Sequence, residues 1–233
     1  MAVRTEMVVD AVVPESEKIR EQIMTKTTLK EAPGHKRRKE KRPNEILDAA
    51  LQVFLARGYS STRMDDIAIL AGVRKGTVYL YFKSKEILFL EVIKRNTIPH
   101  LELANQVVKE YRGPVSALIQ ILLTLWWEKV GATTTGEILK IIIGEARNFP
   151  SVAQFYLSNV IEPTWNVLAA LLQSGVESGE FREIDTELAS RVLLKTLLIL
   201  VLWRVTFAES ADVALDAEFN LVLDSFLSGL RVF

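Results

Sequence analysis

The residues best suited to chemistry lie in one short run, Arg74-Lys75-Gly76-Thr77-Val78-Tyr79-Leu80-Tyr81-Phe82. It brings together two cations, a hydroxyl and two phenols around a glycine that leaves its backbone open. These groups suit hydrogen bonds to phosphates and base edges, and none of them forms a nucleophile–base pair. Val78 and Phe82, four residues apart, share one helical face and turn inward with Val73. That leaves Arg74, Lys75, Thr77, Tyr79, Leu80 and Tyr81 on the other faces. Tyr79 and Tyr81 serve either to contact phosphate or to brace the small helical unit. Gly76 weakens a helix by about 1 kcal/mol relative to alanine, which makes sense where a second backbone must come close.

The elements that position this run are short helices. A first helix is expected from about Asn44 to Arg57, with Ile46, Leu47, Ala50, Leu51, Phe54 and Leu55 on one face, Pro43 in its first turn and Gly58 ending it. Thr62 precedes Asp65 by three residues, resembling a capping box for a second helix. Ile67, Ala68, Leu70 and Ala71 turn that helix inward, and Gly72 makes the turn into the third. Two helices joined by a tight glycine turn are the geometry that places one helix in a DNA major groove. Ser84 caps a fourth helix that starts near Lys85 and reaches about Tyr111, interrupted or bent near Pro99.

The charge distribution supports a polyanion at this end only. Formal net charge is zero, yet residues 35–95 carry 14 Lys/Arg against 7 Asp/Glu, whereas residues 96–233 carry 10 against 16. A basic front and an acidic rear confine a nucleic-acid contact to the front. The run His35-Lys36-Arg37-Arg38-Lys39-Glu40-Lys41-Arg42 is either a solvated linker or an arm lying along phosphate or in a minor groove, formed by Lys36, Arg37, Arg38, Lys39, Lys41 and Arg42. Residues 1–42 are expected to be a flexible tail, although Glu15 to Leu29 has the makings of one polar helix.

Other function classes find little support. There is no cysteine, which removes disulfides and thiolate chemistry and fits a reducing compartment. The two histidines, His35 and His100, have no ligand or acid partner nearby, and no phosphate-cradling glycine loop is present. Glu128, Glu145 and Glu162 form no catalytic signature, so neither an enzyme nor a cofactor or metal is expected. The N-terminus lacks a signal-peptide core. The longest apolar run, Thr196 to Trp203, falls far short of the roughly 20 residues that span a bilayer. A cytoplasmic protein with no membrane contact is expected.

The segment from Pro43 to Lys94 resembles the N-terminal domain of TetR-like transcriptional regulators. The resemblance is carried by ILDAALQVFLARGY, TRMDDIA, AGV, KGTVYLYF and KSKEILF, and most specifically by G-x-x-x-G-T-V-Y-x-Y-F-x-S-K-E from Gly72. It implies that Thr62 caps the second helix and touches a phosphate. It further implies that Arg74, Lys75, Gly76, Thr77, Tyr79, Leu80 and Tyr81 sit on or beside the groove, and that Lys85 binds phosphate. Arg74 and Leu80 depart from the usual pattern: arginine there suits a guanine edge, and leucine suits a thymine methyl or no base at all.

The resemblance implies an all-α protein: a helix-turn-helix domain at 43–95 and a helical effector-binding and dimerisation domain at 96–233. Helices are expected over 115–130, 136–148, 151–178 (with a break near Pro163), 183–207 and 216–232. The candidate pocket residues are Trp126, Trp127, Glu145, Phe149, Phe155, Tyr156, Trp165 and Asn166. Trp126 and Trp127 diverge by roughly 100°, so one lines a cavity while the other packs between helices. The mix suits a hydrophobic or aromatic effector. Leu193, Leu197, Leu200, Phe219, Leu223 and Phe226 are the expected homodimer contacts, with Lys195 and Arg204 at the edge, across the interface or in the pocket. The function that follows is a ligand-responsive regulator of palindromic double-stranded DNA, a repressor released by its effector. The alternatives are an activator, a constitutive DNA binder, or a helical sensor acting through protein contacts.

Overall fold

The computed structural model describes residues 35–207 and 215–232, with side chains from Lys41 onward. The predicted helix at 15–29 lies outside the described residues. The described residues are helical, and Phe181 and Arg231 form the one isolated β-bridge among them. The helices are α1 His35–Arg57, α2 Met64–Leu70, α3 Lys75–Tyr81, α4 Lys85–Glu110, α5 Val115–Trp126, α6 Thr134–Glu145, α7 Pro150–Tyr156, α8 Glu162–Glu177, α9 Thr186–Phe207 and α10 Leu215–Leu230. A π-helical turn, Trp127–Gly131, extends α5, and another, Leu157–Ile161, joins α7 to α8.

Among the described residues, those from Arg42 onward form one compact unit. The first helix begins at His35, not near Asn44, so the basic run has helical backbone and Pro43 sits inside the helix. Gly58 and Gly72 hold φ of 76° and 63°, which is why glycine serves at these two turns. The cap of α2 falls one residue later than Thr62-Asp65 suggests. The Arg63 backbone N–H donates to Asp66 Oδ2 at 3.1 Å. Ser84 caps α4 as its position predicts, accepting from the Ile87 N–H at 3.1 Å.

Ile46, Phe54, Tyr59, Ile67, Val78, Leu88, Phe89, Val92 and Ile93 fill the front core. The aromatic rings of Phe54, Tyr59 and Phe89 lie within 4.8–5.6 Å of one another. α4 then continues unbroken through Pro99, crossing the domain boundary expected at residue 95. One helix therefore runs from the front core, at Leu88 to Ile93, to the residues beyond Pro99. Near Pro163 the chain solves the proline problem differently. Proline supplies no N–H and crowds the carbonyl four residues back, and the widened Leu157–Ile161 turn absorbs that misfit without ending the helix.

No single helix among the described residues is long and apolar enough to cross a membrane. One pair, Val115–Gly131 with Thr134–Glu145, passes on composition but is bent by 75°. Leu118, Ile119, Leu122, Leu123, Ile138 and Ile142 of that pair are core.

Candidate nucleic-acid interface and effector cavity

α3 presents an exposed face. Arg74 sits at its N-cap in extended backbone (φ −73°, ψ 147°), so its side chain leaves the helix end freely. Lys75, Gly76, Tyr79 and Leu80 are exposed beside it, Leu80 at 66%. A methyl group built on Gly76 would meet nothing within 4 Å, so that backbone is open to approach from outside. Lys75 pairs with Asp65 at 3.0 Å, both exposed. Such a surface pair is worth at most about 1 kcal/mol and is easily exchanged for a phosphate. Thr77 is half-buried, and Tyr81 packs against the front core near Phe82, with ring centroids 6.5 Å apart.

Two expected phosphate ligands are committed elsewhere. Thr62 is 2% exposed, and its hydroxyl donates to the Gly58 carbonyl at 2.6 Å. It closes the α1–α2 turn. The Lys85 ammonium donates to the carbonyls of Tyr59, Ser60 and Thr62 at 2.8, 3.1 and 3.0 Å, which uses all three of its donors. It also lies 4.6 Å from the Tyr59 ring centroid. Burial pulls its pKa down, with Glu145 opposing. Lys85 is thus a clamp on the turn before α2.

Two cations escaped the sequence reading. Arg63 precedes α2 and Lys83 follows α3, and both are exposed. Their signal was available as basic residues on either side of the glycine turn. Of the basic run, Lys41 is exposed, and Arg42 pairs with Glu45 at 2.9 Å within α1.

A cavity of about 110 Å³ lies behind the front, between α4, α5, α8, α9 and the two π-helical turns. Leu122, Leu123, Val160, Val167, Leu168 and Leu194 give it apolar walls. Its polar lining comes from Thr97, His100 and Asn105 of α4, Lys129 of the first π turn, Tyr156 at the end of α7 and Thr164 of α8. Burial, with Lys129 adding to it, pushes the His100 pKa down, so its imidazole is neutral at pH 7. Burial raises the Tyr156 phenol to about 12, leaving a neutral hydroxyl.

Of the eight pocket residues expected from sequence, Trp126 and Tyr156 line this cavity. Trp127 instead stacks on Phe219 at 4.9 Å, 9° from parallel, and its indole N–H donates to Asp216 Oδ1 at 2.8 Å. Trp165 lies under the Arg191 guanidinium, 5.6 Å away, with its indole nitrogen buried and unpartnered. Asn166 is exposed on the outer side of α8. Phe155 packs toward the front core, 5.5 Å below the Lys94 ammonium. Phe149 meets Tyr59 edge-on at 4.6 Å. His100, Asn105 and Lys129 were missed because no local motif links residues 100, 105 and 129.

Glu145 and Phe149 belong to a joint between the α6–α7 segment and the turn after α1. Glu145 Oε1 accepts from the Ser60 N–H at 3.0 Å, and the Ser151 hydroxyl donates to Glu86 Oε1 at 2.5 Å. Hydrogen bonding from Ser60, then Asn148, holds the Glu145 carboxyl below its usual pKa. Burial, with Glu86 and Glu145 beside it, pushes the Tyr59 phenol up to about 12.

The predicted dimer contacts are mostly internal. Leu193, Leu197, Phe219 and Leu223 are buried in the protomer, Leu197 completely, while Leu200 and Phe226 are half-buried. The face that α9 leaves open carries Leu188, Val192, Ile199 and Trp203, and Leu221 of α10 is exposed as well. Arg204 donates to the carbonyls of Gly131 and Thr133 at 2.9 and 2.7 Å, tying α9 to the end of the first π turn.

Residues 46–92 match the family described as bacterial regulatory proteins, tetR family, and residues 123–228 match the C-terminal domain of AefR-like transcriptional repressors. The fatty acid metabolism regulator protein of Bacillus subtilis (strain 168) is 28% identical over 83% of this chain and 98% of its own length. The HTH-type transcriptional repressor KstR2 of Rhodococcus jostii (strain RHA1) is 29% identical over 82% of this chain and 93% of its own. Among solved structures, FadR from Bacillus subtilis in complex with stearoyl-CoA superposes with a TM-score of 0.65 at 25% identity, covering 81% of this chain and 99% of that one.

Proposed function

The chain belongs to the TetR family of transcriptional regulators, a family of DNA-binding proteins and not of enzymes; from that premise we propose that it is a repressor released from a palindromic operator by a hydrophobic effector. The observation that carries this reading is α4. Its first half supplies Leu88, Phe89, Val92 and Ile93 to the front core, and its second half supplies Thr97, His100, Leu101 and Asn105 to the cavity wall. A ligand that shifts the second half can move the first, because one helix connects them through Pro99.

α7 provides a parallel connection. It leaves the joint at Phe149 and Ser151 and reaches the cavity at Tyr156. The π turn that follows adds Val160 to the cavity wall. The proposed effector fits better when the two recognition faces are splayed, so binding shifts the population away from the DNA-competent spacing. The relatives' names favour an effector of the fatty-acyl kind.

On DNA, Arg74, Lys75, Tyr79 and Leu80 face the groove, and Arg63 and Lys83 reach the flanking phosphates. The protein acts in the cytoplasm as a homodimer through the Leu188, Val192, Ile199, Trp203 and Leu221 face. Four exposed apolar residues on one helical face, with the exposed Lys195 among them, mark an interaction surface. A two-fold axis there sets two α3 helices against half-sites about 34 Å apart. The test is operator selection from random duplex DNA with the full chain. The expected product is an inverted repeat bound with a steep salt dependence and released by acyl compounds; asymmetric or salt-insensitive binding would reject the reading.

A further inference from the structure

The cavity has an uneven charge. Its lining includes one cation, Lys129, and no aspartate or glutamate. Lys129 forms no ion pair among the described residues, and its charge acts on His100, which lines the same cavity. The rest of the wall is mainly leucine and valine. Holding a cation at an apolar wall without an anion is unfavourable, and attraction to an anion is strongest where water is excluded. Lys129 also sits within a π-helical turn, Trp127–Gly131, where an inserted residue re-aims side chains; such turns recur at ligand sites.

We propose that the cavity takes its effector as a monoanion: an apolar body ending in a free carboxylate that pairs with Lys129, with the His100 imidazole as a hydrogen-bonding neighbour. This rests on the reading of the cavity as the effector site and narrows it. A fatty-acyl thioester presents a neutral carbonyl at that point, and an ester does the same. A free acid presents the charge that Lys129 lacks. Leu122, Leu168 and Leu194 recognise the body, and Lys129 supplies the discrimination between head groups.

The test uses the full chain and three probes below their micelle concentrations: dodecanoate, methyl dodecanoate and dodecanoyl-CoA. Binding is measured by calorimetry and by the fluorescence of Trp126, which lines the cavity. The wild type should bind dodecanoate at least ten-fold more tightly than its methyl ester or its thioester. Lys129→Met should abolish that preference with little change in ester binding, and Lys129→Arg should retain it. An ester or thioester bound as tightly as the acid, a preference that survives Lys129→Met, or no binding of the acid would overturn the proposal. Val167→Phe, which narrows the cavity, separates the two levels of the claim. If it blocks ester and thioester binding while the acid has no advantage, the effector site stands and the carboxylate preference falls. If it blocks nothing, both fall.

Discussion

The front and the rear of this protein do their work with different kinds of information. The front gathers its proposed DNA-reading residues into one short helix and its flanking turns. The rear gathers its cavity from α4, α5, α8, α9 and two π turns, so residues as distant as Thr97 and Leu197 meet there. A recognition helix is a local object, fixed by spacing and by two glycine turns. A cavity is a tertiary object, fixed by how helices cross.

The same contrast sorts the proposed dimer face from the core, and it gives the largest expected effect. α9 is apolar nearly all round, so its periodicity does not say which stripe faces inward. One residue of register rotates the stripe by roughly 100°. Leu197→Glu puts an unpaired carboxylate at a fully buried site and should destabilise the protomer by about 4 kcal/mol or more. Ile199→Glu, two residues on and 57% exposed, should leave the melting temperature of the protomer almost unchanged while sedimentation shows monomers. If Leu197→Glu gives folded monomers, the inner and outer faces of α9 have been exchanged.

On the front, Arg74→Ala and Tyr79→Ala should each weaken operator binding by about 1–3 kcal/mol, read by fluorescence anisotropy, without a change in melting. Lys85→Met should show the reverse pattern. It removes three charge-assisted hydrogen bonds to backbone carbonyls, so a loss of about 1–3 kcal/mol of stability is expected with the salt slope of DNA binding preserved. A shallower slope at unchanged stability would restore Lys85 to the phosphate contacts.

The smallest effect belongs to His100. Its folded pKa is depressed below the usual 6.5, so between those two values the unfolded chain holds more protons than the native one. Stability is therefore full above about pH 6.5 and falls as the pH drops toward the folded value. Thermal melts from pH 7.5 to 5.5 should show that loss, and His100→Gln should flatten it.

Much of the front was legible because its rules are short-range. The turn at Gly72, the exposed side of α3 and the Ser84 cap follow from neighbours within four residues. What local spacing does not show there is which side chains have a competing partner. Thr62 found the Gly58 carbonyl, and Lys85 found three carbonyls more than twenty residues back in the chain. In the rear the aromatic residues were conspicuous in sequence but went to joints. Phe149 went to Tyr59 and Trp127 to Phe219, each partner far away along the chain. The polar residues that give the cavity its character, His100 and Lys129, carry no pattern of their own.

The central claim is that the cavity controls the front through α4 and α7. The most direct measurement is the titration of an acyl effector into the protein–operator complex, comparing the wild type with Val167→Phe. The wild type should release DNA as the cavity fills. The variant should bind the operator with the same affinity and hold it at effector concentrations that strip the wild type. Release of the variant at the same concentration would contradict the account, because the effector would then act somewhere other than this cavity.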